Sequence, residues 1–210
     1  MKIREIRASV HTSAITVPLI ERKVHGYGRE EQKEFVFCEV ETDDGLSGLA
    51  ITGHFLARSV VVALKSYVLP EVRDMDVRDT EAIHQKIWSK LNPRAMTGVI
   101  SSALSCLDIA LWDIQGKAAG RSVAGLLGNA RTTIPAYVTF GFPQYDRAQL
   151  AEAAKLQLSK GFSAMKLIVG VDKKGWREDA VRVRAVRDAV GDDVDIMIDA
   201  NYLFNPVQAK

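Results

Sequence analysis

Two hydrophobic periods divide this chain. Ile3 to Val10 alternates apolar and polar residues well enough for a strand, and Glu34 to Thr42 repeats the alternation with more aromatic and β-branched residues. Asp43-Asp44-Gly45 follows at once, a turn leading into Leu46 to Ile51, which predicts an antiparallel hairpin. Helical spacing then takes over. Asp79 or Thr80 caps a predicted helix with Ile83, Ile87, Trp88 and Leu91 on one face, and Asn92-Pro93 ends it. Ile100, Ala103, Leu104, Leu107, Leu111, Ile114 and Ala118 form the stripe of a longer helix, stopped by Gly120. Strands followed by helices predict an α+β unit over residues 1–130.

The grammar changes near Ile134. Ile134 to Phe140 reads as a strand, Asp146 and Gln149 are spaced for a capping box, and Gly161 closes the helix they open. A strand from Ala164 to Val169, a helix from about Gly175 to Val190 and a strand from Val194 to Asp199 complete β-α-β-α-β, the pattern of parallel-sheet units. Asn205-Pro206 reads as the start of another helix. A closed barrel needs eight strands and about 250 residues. Residues 131–210 are therefore expected to be the opening of a barrel truncated within a longer protein, the alternative being a smaller open sheet.

Composition narrows the ligand. The 210 residues are 47% hydrophobic and 26% charged, with 28 basic and 26 acidic residues and a formal charge of +2, so no field points to nucleic acid or a membrane surface. Cys38 and Cys106 sit in apolar segments and read as two buried thiols. No run approaches the roughly 18 apolar residues of a membrane span, and the N-terminus lacks the apolar run of a signal peptide. A cytoplasmic protein with a small-molecule ligand is expected, and its large apolar helices suit self-association into a homo-oligomer.

Lys166 and Asp199 carry the candidate chemistry, Lys166 near the end of one strand-like run and Asp199 at the end of the next. On neighbouring parallel strands of a barrel, both side chains reach the rim where such folds build their sites. Alternation puts Lys166 with Ile168 on one side, and Asp195, Met197 and Asp199 on one side of the next strand, with Asn201 joining them if extended geometry persists. By residue type alone, Asp199 also reads as a loop or helix cap and Lys166 as a snorkelling rim residue. An acid and an amine at one pocket suit proton abstraction beside a carboxylate. That step doubles the negative charge on the substrate and needs a carboxylate-held divalent cation and an ammonium to stabilise it.

The run Ala103-Leu104-Ser105-Cys106-Leu107-Asp108-Ile109-Ala110-Leu111-Trp112-Asp113-Ile114-Gln115-Gly116-Lys117, continuing to Leu126-Leu127-Gly128 and Ile134-Pro135-Ala136-Tyr137, resembles the mandelate racemase and muconate lactonizing enzyme family of the enolase superfamily. Gly161-Phe162, Gly170 and Asp199-Ala200-Asn201 fall in the family's order. The resemblance implies an α+β capping domain followed by a (β/α)7β modified TIM barrel. It implies that Asp199 is the first of three acidic Mg²⁺ ligands, that Lys166 is the first Lys of a Lys-x-Lys motif attending the substrate carboxylate, and that Asn201 is a polar neighbour of the metal. It further implies that Thr16 to Gln32 and Thr52-Gly53-His54-Phe55 are the loops closing over substrate, with Arg22, His25, Tyr27 and His54 as specificity candidates. Asp108 and Asp113, on a packed helix, read as structural bridges. Ile168 departs from the family pattern, standing where a second Lys often serves as base.

The expectation is thus the N-terminal part of a Mg²⁺-dependent sugar-acid dehydratase, inactive as these residues alone. A racemase, epimerase or cycloisomerase of the same superfamily is the nearest alternative, and a catalytically inactive structural or assembly fragment is the alternative of another class.

Overall fold

The computed structural model describes residues 1–15, 31–53, 55–91, 97–141 and 145–210. Among these the chain divides into two compact units, one of Met1–Ile15 with Glu31–Thr132 and one built from the described residues after Thr132.

The first unit is a three-stranded antiparallel sheet covered by helices on one face. Strands β1 (Ile3–Ile15), β2 (Glu31–Thr42) and β3 (Ser47–Thr52) lie in sequence order. The Asp-Gly hairpin is present, with Val40 opposite Gly48 and Cys38 opposite Ala50. Alternation sends Ile6, Ala8, Val36, Cys38, Val40 and Ala50 into the core, where they meet Ala103, Leu107, Ala110, Leu111 and Ile114. Those last five belong to α4 (Gly98–Ala119), a 22-residue helix ended by Gly120 in the left-handed conformation and followed by the single turn α5 (Val123–Leu126). Ile83 and Ile87 of α3 (Thr80–Leu91) are buried as their spacing predicts. The Asn92-Pro93 stop lies outside the described residues.

The helical stretch before α3 is not evident in the sequence pattern. It runs through α1 (Ala57–Ala63), a π-helical turn (Leu64–Val68) and α2 (Leu69–Val72), and buries Val60, Leu64, Val68 and Val72. Val60-Val61-Val62 is β-branched, the π turn shifts the phase of the apolar face, and Pro70 opens a new helical start.

Polar groups on α4 secure the rest. Asp113 accepts the Leu49 N–H at 2.8 Å and pairs with Lys117 at 2.8 Å, while Lys117 donates to the Ser47 carbonyl at 2.8 Å. Edge strand β3 is thereby tied to the helix. Asp108 meets His84 at 2.9 Å, so both aspartates are bridges. The thiols of Cys38 and Cys106 are free, wholly buried and face each other between β2 and α4. That contact, together with burial, pushes the Cys38 thiol up in pKa.

The second unit is a parallel sheet in the order β4 (Val138–Phe140), β5 (Ala164–Ile168), β6 (Asp195–Asp199). Its crossovers are α6 (Arg147–Ser159) and α7 (Trp176–Val190). The capping box forms as predicted, with Asp146 Oδ1 accepting the Gln149 N–H and Gln149 Oε1 accepting the Asp146 N–H, both at 2.8 Å. Strand β4 is shorter than Ile134 to Phe140, because Pro135 has no N–H to give a ladder. Asn205 caps a single turn rather than a described helix, its Oδ1 accepting from Val207 and Gln208 at 3.0 Å. Met165, Leu167 and Phe140 pack with Leu150, Ala154 and Val186. The helices cover that face of the sheet, and Lys166, Ile168, Met197 and Asp199 belong to the other. Beyond β5, buried Asp179 accepts the Gly170 N–H at 2.9 Å, and Arg182 reaches Asp172 at 3.1 Å. No helix among the described residues is long and apolar enough to cross a membrane.

Gly48 tests the packing of the first unit, because a Cβ there would collide with the Ala110 carbonyl and lie 2.7 Å from Ile114 Cγ1. Gly48→Ala should lower unfolding free energy by about 1–3 kcal/mol. An unchanged urea midpoint would show that α4 does not approach the strand this closely.

Candidate functional site

The parallel register of β5 and β6 sets Lys166 opposite Met197 and Ile168 opposite Asp199. In a sheet whose pleats align, those four residues share a face. Burial of Met165 and Leu167 fixes that face for β5, so the lysine is on it because its neighbours are apolar and core-bound. The amine reaches up one step along the sheet. Lys166 Nζ lies 3.2 Å from Asp199 Oδ2, with the side chains 23% and 37% exposed, and the pair is therefore neither buried nor free in solvent.

Each group favours the charge of the other. Asp199 is held below its ordinary value first by the Asn201 N–H, which donates to Oδ1 at 3.0 Å, and then by the Lys166 ammonium. Lys166 is raised above its ordinary value first by Asp199, with the Tyr137 hydroxyl acting in the same direction and partial desolvation opposing both. The signs define a window. Asp199's contribution is present above the ordinary aspartate range and is lost as pH falls through its lowered value. Lys166's contribution is present below the ordinary lysine range and is lost as pH rises through its raised one. The ion pair is at full strength between those limits.

Asn201 does not continue the strand. Its φ of 45° and that of Tyr202, 65°, are left-handed, so the chain turns sharply after Asp199 and the Asn201 side chain is exposed. What it contributes to the site is its backbone N–H. Lys166 stands in the middle of a five-residue strand rather than near its end. Ile168 lies on the same face, opposite Asp199, and offers no proton acceptor there. Arg22, His25, Tyr27 and His54, with most of the loop from Thr16 to Gln32, lie outside the described residues.

Tyr137 is the neighbour that sequence reasoning passed over. Lys166 Nζ lies 5.3 Å from the centroid of its ring, within cation–π range. Only the pairing of Val138 with Met165 brings it there, so nothing in the spacing of the sequence announces it.

The donor set fits one corner of a divalent-metal site. Mg²⁺ is held through oxygen, often by one or two carboxylates together with water and substrate oxygens. Asp199 is a partly exposed carboxylate of that kind, with Oδ2 beside the Lys166 ammonium. Among the described residues no three His, Cys, Asp or Glu side chains converge.

Comparison with known proteins gives a consistent set of matches. Residues 11–128 match the mandelate racemase/muconate lactonizing enzyme N-terminal domain, and residues 149–210 match the enolase C-terminal domain-like family. The chain is 30% identical over 181 residues to arabinonate dehydratase of Saccharolobus solfataricus, covering 83% of this chain and 47% of that protein. It is 31% identical over 218 residues to D-galactarolactone cycloisomerase of Agrobacterium fabrum, covering 100% of this chain and 54% of that protein. A racemase from Streptomyces coelicolor A3(2), whose crystal structure holds bound magnesium, superposes with a TM-score of 0.81 at 26% identity, over 99% of this chain and 57% of its own. The chain spans about half the length of the curated relatives it matches.

Lys166→Met should raise the Asp199 titration midpoint only part of the way to the ordinary aspartate value, since the Asn201 N–H remains. Carbon-detected carboxylate NMR reads it directly. Full recovery would make Lys166 the sole cause, and no movement would dissolve the pair.

Proposed function

The chain belongs to the mandelate racemase/muconate lactonizing enzyme family of the enolase superfamily, and on that premise we propose that it supplies the capping unit and first barrel strands of a Mg²⁺-dependent sugar-acid dehydratase. The observation that carries this reading is the Lys166–Asp199 pair, held 3.2 Å apart on the face of the sheet that the helices leave open.

A proton next to a carboxylate is weakly acidic because its removal concentrates two negative charges on one group. Bound Mg²⁺ would supply the electrostatic stabilisation of that charge. Asp199 is the ligand this chain offers to it. Lys166, a compact cation with three donors, faces the same space and neutralises the substrate carboxylate as charge builds. With the α-proton taken by a base, and a proton delivered to the β-hydroxyl as it leaves as water, both groups lying in the uncovered length, the product would be the enol of a 2-oxo-3-deoxy acid, which ketonises.

Ile168 favours this outcome over racemisation, because exchange at both faces of a carbon calls for a base on each and β5 offers none beside Lys166. The arabinonate dehydratase match agrees with it. Cycloisomerisation is the second reading, favoured by a relative of that activity that matches along the whole of this chain. The remaining metal ligands and the base belong, on this proposal, to the part of the relatives' length that these residues do not cover. A fragment with only a structural role is the contrary case.

These readings separate in an enzyme extended to the relatives' length. Asp199→Asn should weaken Mg²⁺ binding by calorimetry about tenfold or more, and Lys166→Met should lower kcat by about 10²- to 10³-fold. Solvent deuterium entering both faces of the α-carbon, with racemised product, would refute dehydration. The 210 residues alone should show no turnover, and robust turnover from them would overturn the assignment of the missing groups to the uncovered length.

A further inference from the structure

Lys166 has a flexible four-carbon stem and one carboxylate partner, which under the proposed function is also wanted by a metal ion. An ammonium whose only anchor is shared with a divalent cation would be released when that cation arrives. The structure holds a second contact. Tyr137 immediately precedes β4 and shares the side of Thr139, which pairs with Lys166 in the ladder. Its ring centroid stands 5.3 Å from Nζ, and the residue is half exposed. The approach is prepared in the backbone: Pro135, two residues earlier, fixes its own φ and removes conformational freedom from the segment that delivers the ring.

We propose that Tyr137 is a positioning residue for Lys166, holding the ammonium on the open face of the sheet when the oxygens of Asp199 are engaged elsewhere. This rests on the role given to Lys166 above. A cation has no directional preference along its stem, but the negative face of an aromatic ring gives it one. The Asp199 carboxylate and the ring face thus approach the ammonium together, and its remaining N–H donors are left for an anionic ligand. Three neighbouring segments thus contribute one group each: Tyr137 before β4, Lys166 within β5 and Asp199 at the end of β6.

The test is NMR of the Lys166 side chain in this chain, with backbone amide spectra confirming the fold of every variant. The ring current of Tyr137 should displace the Lys166 Hε resonances. That displacement should persist in Tyr137→Phe and in Asp199→Asn, and vanish in Tyr137→Leu. Hε shifts unaltered in Tyr137→Leu would overturn the proposal. If Asp199→Asn leaves Mg²⁺ binding of the extended enzyme unchanged, the site reading fails while the Tyr137 contact stands. In the extended enzyme, Tyr137→Leu should cost about twofold to thirtyfold in kcat, the rate equivalent of one cation–π contact, with Mg²⁺ affinity unmoved. Loss of Mg²⁺ affinity in that variant would mark the residue as merely structural and sink the idea.

Discussion

The register between β5 and β6 decides which side chains this sheet presents together. Ladder hydrogen bonds alone would tolerate a slip, but side chains alternate, and a shift of one residue would turn Asp199 toward the helices and present Ile198 to the open face. Hydrophobic burial forbids this. Met165 and Leu167 have the core of α6 and α7 to enter, Ile196 packs at its edge, and Lys166 and Asp199 are left together on the uncovered side. The apolar residues of these strands therefore select the polar pair without touching it.

Much of that was legible beforehand, for identifiable reasons. The strand–turn–strand of the first unit follows from alternation and an Asp-Gly pair, both local signals. The Asp146–Gln149 box and the Gly120 stop are equally local, since cap chemistry acts over a single turn. The Lys166–Asp199 face followed from counting by twos. Where the reading failed, tertiary context had overruled the local pattern. The stretch from Ala57 to Val72 is helical although its valines prefer strands, because burial of one face outweighs a propensity worth tenths of a kcal/mol per residue. Pro135 trimmed β4. The left-handed turn at Asn201 and Tyr202 cut short an expected extension and turned a side-chain role into a backbone one. Tyr137 depended on register between strands far apart in sequence, which no periodicity encodes.

The two units treat their sheets differently. In the first, the hairpin edge is guarded by Asp113 and Lys117, which occupy main-chain groups of β3 and leave little of it for other strands to pair with. In the second, polarity is gathered on the open face, and the half-exposed setting of the ion pair matters. Fully buried, the two charges would pay heavy desolvation. Fully exposed, they would be screened. An intermediate setting keeps an ammonium charged and directed while leaving room for an anion beside it.

The facing thiols of Cys38 and Cys106 have a practical consequence. Both are sealed between strand and helix, so an alkylating reagent reaches them only when β2 and α4 part. Labelling kinetics would therefore count the breathing of the capping unit, giving it an internal stopwatch of its own.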